Sequence, residues 1–166
     1  MEKAAQAVKP KVKRKTFTYQ TSIEWLGEKA GNLSSENKDT FRVASPPEFK
    51  GESGVWTPED LFVAAIDSCV LMTFSTFAKH RKLMVQSYTS NAEGFLEFVD
   101  GGYRFTRVVL RPQVVLQREE DRELAETVLR DAHQKCLISN SISATVIVEP
   151  ECIVSSATEG EKDDTL

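Results

Sequence analysis

The chain has 166 residues, 40% of them hydrophobic, with 25 acidic against 21 basic side chains and a net charge of -4 at pH 7. That composition suffices for one core of ordinary size, and its acidic balance offers no clustered Lys and Arg surface for phosphate, so neither nucleic acid nor an anionic membrane is expected as a partner. No apolar run reaches the roughly eighteen uninterrupted residues that span a bilayer, since Asp67 and Ser68 punctuate the best candidate. Three cysteines without a leader-like segment point to a reducing, cytoplasmic compartment, where a disulfide would be transient and catalytic.

Residues 1–15 carry Lys9, Lys11, Lys13, Arg14 and Lys15, interrupted by Pro10 and followed by no apolar segment. They read as a basic flexible N-terminal arm. The domain is expected over 16–154, and 155–166, with Glu159, Glu161, Asp163 and Asp164, reads as an acidic disordered tail. From 16 to 25, Phe17, Tyr19, Thr21, Ile23 and Trp25 alternate with polar residues, the period of a half-buried strand. A turn at 27–31, a short strand at 32–35, a second turn and a third strand at 40–44 follow, and Pro46 and Pro47 stop the last of these.

Thr57-Pro58-Glu59-Asp60 is a helix start: a hydroxyl at the cap, proline at the first helical position and two carboxylates at the positive pole. The helix should run to about residue 82. Its apolar residues (Leu61, Phe62, Ala65, Ile66, Cys69, Val70, Met72, Phe74, Phe77) cover more than one face, so it reads as a central helix buried on most sides. Two β-prone segments, 85–99 and 103–116, flank Asp100-Gly101-Gly102, a hairpin signal. Residues 119–136 show helical spacing at Leu124, Val128, Leu129 and Ala132, and 144–148 forms a last strand. This order predicts an α+β fold with antiparallel sheets around a long buried central helix.

Cys69 in the middle of the first helix and Cys136 at the end of the second suggest a redox pair, because a thiol oxidised to sulfenic acid can condense with a second thiol in reach. A cysteine in an apolar helix is, as a rule, an inert core thiol, so catalysis needs something that lowers the Cys69 pKa against burial. If Glu59 and Cys69 share one straight helix, they lie about 15 Å apart along its axis. A glutamate that served Cys69 would then come from another subunit or act through an intervening cation. Helix polarity alone also explains Glu59. His133, three residues before Cys136, could acidify it or simply complement the helix C-terminus, as His80 does on the first helix. Cys152 has no companion motif and reads as incidental. No Cys-x-x-Cys or His-x-x-x-His spacing supports a metal, and neither a nucleophile elbow nor a phosphate-binding loop occurs, so no metal or cofactor is expected.

The run Thr57-Pro58-Glu59-Asp60-Leu61-Phe62-Val63-Ala64-Ala65 leading to Ser68-Cys69, with Ala132-His133-Gln134-Lys135-Cys136 and Ser139-Asn140 downstream, resembles the OsmC and organic hydroperoxide resistance (Ohr) family. The resemblance spans about residues 17–148. It implies an OsmC-like fold, an intertwined homodimer with sites at the subunit interface, and reduction of organic hydroperoxides by thiols, with Cys69 peroxidatic and Cys136 resolving. It also implies a dithiol reductant, of lipoyl type. In the hydroperoxidase branch an arginine in the N-terminal loop, held by the helix-start glutamate, activates the thiol. Glu59 matches that glutamate, but the loop here is Trp25-Leu26-Gly27-Glu28-Lys29-Ala30-Gly31, so Lys29 stands nearest the arginine, with Arg42 as another source of a guanidinium. Lysine lacks the planar fork that grips a carboxylate while donating elsewhere. Two functions from different classes therefore compete: a thiol peroxidase, and a non-catalytic or weakly catalytic dimer whose thiols sense a bound ligand.

Overall fold

The computed structural model describes residues 15–155, so the expected basic arm and acidic tail lie almost wholly outside the described residues. The described chain forms two compact units, one ending at Val55 and one beginning at Trp56.

The first unit is an antiparallel sheet of β1 (Ser22–Gly27), β2 (Ala30–Ser34) and β3 (Phe41–Ala44) in chain order. The strand expected over 16–25 begins only at Ser22. β2 pairs with Ser22 to Gly27 alone, so the alternating residues before Ser22 have no ladder to join, and alternation without a neighbouring strand makes no sheet. The tight β1–β2 turn has positive φ at Gly27 (98°) and Glu28 (46°), and at the first of these glycine carries no steric cost. Trp25 Nε1 donates to the Glu28 carbonyl at 3.0 Å and closes the turn.

The second unit opens with α1 (Pro58–His80). Thr57 accepts from the Asp60 N–H at 3.1 Å and the Asp60 carboxylate accepts from the Thr57 N–H at 3.0 Å. This reciprocal capping is worth about 1 kcal/mol at the helix start. Within the chain α1 is not buried on most sides. Full burial is confined to Ile66, Val70, Phe74 and Ala78, one stripe of four-residue steps, and Met72 is 62% exposed. A single sheet with one companion helix can cover only one stripe of a helix that is apolar all round. α1 is long and apolar enough to cross a membrane by length and composition, with a mean hydropathy of 1.8 in its most apolar window. Asp67 lowers that average but one charge leaves it high, whereas it breaks an uninterrupted run. Its stripe packs into the core of the unit.

The predicted hairpin is present as β4 (Val85–Val99) and β5 (Gly102–Leu116), antiparallel over almost their whole length. Asp100 (φ 52°) and Gly101 (φ 84°) make the turn. Gly94 in β4 lets α1 approach closely: a Cβ there would stand 2.5 Å from Val63 Cγ2. After a 3-10 turn at Glu119–Asp121 comes α2 (Arg122–Lys135), followed by β6 (Thr145–Val148) and β7 (Glu151–Val154).

Both final strands pair parallel to β5, so the sheet is mixed and not purely antiparallel as expected. The physical reason is connectivity: α2 intervenes between β5 and β6, and a helical crossover returns the chain to the starting end of the sheet. The sequence reading also missed β7. Pro150 separates it from β6, and Pro112 stands at the corresponding break in β5, between Leu110 (opposite Val148) and Gln113 (opposite Glu151). Neither proline can donate to the ladder, so one return strand divides into two short ones. Behind β5 two core clusters form. One gathers Phe74, Ala78, Leu83, Val114, Leu116, Val128, Leu129 and Cys152, and the other Ile66, Val70, Val108, Leu110 and Cys136.

Candidate functional site

The second cluster brings together the two cysteines singled out from the sequence, although 67 positions separate them in the chain. Cys69 sits in mid-α1, partly exposed, against the cluster that holds Cys136. Cys136 ends α2: its N–H bonds the His133 carbonyl at 3.2 Å and its backbone leaves the helix at φ -62°, ψ 118°. The Asn140 side chain then fastens the turn, donating from Nδ2 to the carbonyls of Gln134 and Cys136, both at 2.9 Å. The Asn140 N–H reaches the same Cys136 oxygen at 3.1 Å. Cys136 itself has no exposed surface. All three cysteines are free thiols.

The two thiols act on each other, and the interaction splits their acidities. Burial works to raise the Cys69 pKa. The Cys136 thiol, the backbone N–H groups of Ile138 and Leu137, and the Thr73 hydroxyl all favour the thiolate and together outweigh it, so the net direction is down. For Cys136, burial and the neighbouring Cys69 push the thiol up, and Ser139 opposes them without prevailing. The Ser139 N–H donates to the Cys136 sulfur at 3.4 Å. Its hydroxyl is buried at the same spot, close enough to favour the thiolate but not aligned for a hydrogen bond of its own. The arrangement therefore sets Cys136, the less acidic thiol, beside Cys69, the more acidic one, with the backbone N–H groups of Leu137 and Ile138 acting on Cys69 and that of Ser139 on Cys136.

Those N–H groups and Thr73 are what sequence reasoning overlooked while it looked for a cation. Thr73 was legible in principle, since it stands one helical turn beyond Cys69, and its hydroxyl also reaches the Cys69 carbonyl at 2.8 Å. Backbone donors from 137–139 carry no side-chain signature at all.

The other candidates fall elsewhere. Glu59 lies ten residues before Cys69 on the same helix, hence about 15 Å away along its axis, and its Oε2 is buried without a hydrogen-bond partner. Lys29 and Arg42 belong to the first unit, where both are engaged. Lys29 Nζ donates to the Phe49 carbonyl, and Arg42 grips Glu52 through Nε at 3.1 Å and Nη2 at 2.5 Å. His133 is not among the groups that act on Cys136; it lines a separate pocket with Glu126, Arg130 and Pro150. Cys152, on β7, is buried in the other cluster, and burial raises its pKa with help from Glu126 and against Arg122. Among the described residues no group of three or more His, Cys, Asp and Glu could hold a metal ion.

Known proteins share this architecture. The family described as OsmC-like protein matches residues 51–151. The Bacillus subtilis protein YmaD is 24% identical over 135 residues, which cover 78% of this chain and 89% of that protein. An OsmC-like protein from Vibrio cholerae superimposes with a TM-score of 0.75 at 26% identity, covering 81% of this chain and 99% of its own. An organic hydroperoxide resistance protein from Legionella pneumophila has a TM-score of 0.67 at 23% identity, covering 85% of this chain and 100% of its own.

Proposed function

The chain belongs to the OsmC-like protein family, and from that premise we propose that it is a thiol-dependent peroxidase acting on organic hydroperoxides. The observation that carries the reading is the pair of thiols packed in one cluster, in which Cys69 is acidified against its own burial while the Cys136 thiol beside it is pushed up. The Cys69 thiolate attacks the terminal peroxide oxygen, the O–O bond breaks, and the alcohol leaves after taking up a proton. Cys69 is then a sulfenic acid. Cys136 loses its proton, forms the Cys69–Cys136 bond and expels water, which protects Cys69 from further oxidation. A dithiol, of lipoyl type by the family resemblance, restores both thiols. The partly buried apolar side chains packed with Cys69 on this cluster, among them Phe62, Val63 and Ile142, suit an alkyl hydroperoxide better than hydrogen peroxide.

A homodimer completes this reading. The unpartnered Glu59 oxygen asks for a cation, and an apolar helix covered on one stripe asks for a second apolar surface. A second subunit supplies both, with Lys29 as the cation nearest the family's arginine. One observation favours a different function, a ligand-binding dimer whose thiols sense what is bound: the Lys29 ammonium already has a partner in the Phe49 carbonyl. Titration of the reduced protein with one equivalent of an alkyl hydroperoxide, followed by peptide mapping, separates the two. Rapid appearance of a Cys69–Cys136 bridge supports the peroxidase. Slow loss of all three thiols at similar rates supports binding.

A further inference from the structure

We infer that the reductant opens the Cys69–Cys136 disulfide by attacking the Cys69 sulfur, so that the mixed disulfide forms on Cys69 and Cys136 departs as the thiolate. This rests on the thiol-pair chemistry proposed above and specifies where its second substrate, a dithiol, joins the protein.

Thiol–disulfide exchange needs the incoming sulfur to approach in line with the bond it breaks, from the open side of the sulfur attacked, so access decides between the two ends. The two ends differ sharply. Cys136 has 0% exposure and is enclosed by Ile66, Val70, Val108 and Leu110 of its own chain. The turn that follows it is fastened by three hydrogen bonds from Asn140, two at 2.9 Å and one at 3.1 Å. Cys69 is partly exposed, and Met72, one turn further along α1, is 62% exposed. A second subunit can add cover to Cys69, but it cannot uncover Cys136. Because Cys69 already packs against the cluster that holds Cys136, closing the disulfide leaves this asymmetry in place.

One influence opposes the assignment. Cys69 is the more acidic thiol, and the more acidic thiol is the better leaving group, which favours attack at Cys136. That dependence is graded, whereas a sulfur with no accessible surface is reached only after the core around it opens. The departing charge also has a receiver, since the Ser139 N–H stands 3.4 Å from the Cys136 sulfur. In the first step the reductant thiolate bonds to Cys69 Sγ, the Sγ–Sγ bond breaks, and its electron pair leaves on Cys136, which takes up a proton. In the second step the other thiol of the reductant, as its thiolate, attacks the reductant's own bonded sulfur. This frees the Cys69 thiolate and leaves the dithiol oxidised to a cyclic disulfide, with two electrons transferred to the protein.

A monothiol lacks the second thiol that completes the exchange within one molecule, so a brief exposure and a rapid quench catch the first step. The full-length protein is oxidised with diamide, freed of oxidant, exposed briefly to 2-mercaptoethanol, quenched with N-ethylmaleimide and mapped by peptide mass. The expected product carries mercaptoethanol on Cys69 and maleimide on Cys136, in excess over the reverse isomer by about tenfold or more. Equal amounts, or mercaptoethanol mainly on Cys136, overturn the inference. Replacing diamide with an alkyl hydroperoxide separates it from the peroxidase reading. If the hydroperoxide forms no bridge while the diamide bridge opens at Cys69, the peroxidase falls and the polarity stands; a hydroperoxide-made bridge that opens at Cys136 removes the polarity alone. Failure of diamide to link Cys69 and Cys136 overturns both.

Discussion

Cys152 and Cys69 are carried by the same unit, and both press against a cluster of buried aliphatic side chains. Around Cys152 the polar neighbours are few: burial raises its pKa, Glu126 adds to this, and Arg122, whose guanidinium bonds the Cys152 carbonyl, only partly offsets it. Around Cys69 burial acts in the same direction and loses, because a thiol, two backbone N–H groups and a hydroxyl are aimed at the sulfur. A buried cysteine becomes a nucleophile only where donors converge on it, and an apolar environment by itself leaves it inert. The difference lies between two clusters, and the groups that acidify Cys69 include no charged side chain.

The sharpest way to break this comparison is to remove each thiol in turn. Cys69→Ser should abolish hydroperoxide consumption, while Cys152→Ser should leave it near the original rate; a consumption assay in which the two variants behave alike would end the distinction. Next comes the pairing itself. Cys136→Ser should permit a first turnover and then accumulate sulfenic or sulfinic acid on Cys69, visible by mass, because only resolution is lost. Cys136→Ala also removes the donor, so the pH profile of Cys69 alkylation by iodoacetamide should move to higher pH. No movement would mean that the Cys136 thiol does not acidify Cys69.

The two clusters should also part in their response to a cavity. Leu129, fully buried beside Cys152, should cost about 2–5 kcal/mol of stability as Leu129→Ala in urea denaturation without altering the alkylation profile of Cys69. A parallel shift in that profile would show the two clusters to be energetically one.

Smaller effects are expected from the first unit and from pH. Lys29→Arg should speed Cys69 oxidation and Lys29→Met should slow it, each by a modest factor, in stopped-flow measurements from about pH 6 to 9, the range in which a thiol near its ordinary pKa titrates. Any other ordering removes Lys29 from the site. For Cys152 the sign follows from its raised pKa in the folded protein. Above the unfolded thiol value of about 8.5, the unfolded chain sheds a proton that the folded protein keeps. Stability should therefore fall as pH rises from there through the folded value, and Cys152→Ala should flatten that fall. An unchanged slope in the variant would show that Cys152 ionises as freely inside as outside.

The reading from residues alone went far. Thr57-Pro58 with Asp60 predicts the start of α1, Asp100-Gly101 predicts the long hairpin, and both stand within a residue or two of the structure because each depends on local backbone chemistry. The motif pair around Cys69 and Cys136 pointed to the family for the same reason: the residue types sit at fixed spacings in the chain. What the linear pattern could not contain was whatever depends on a neighbour distant in sequence. The parallel pairing of β6 and β7 follows from the α2 crossover, and the late start of β1 follows from the short reach of β2. The single buried stripe of α1 follows from how little surface one chain can bring to it. Apart from Thr73 on the same helix, tertiary structure decided the chemistry of Cys69, because hydrogen bonds act over about 3 Å, and the other groups that acidify it come from a turn some 70 residues away, two of them backbone N–H groups that every residue except proline possesses.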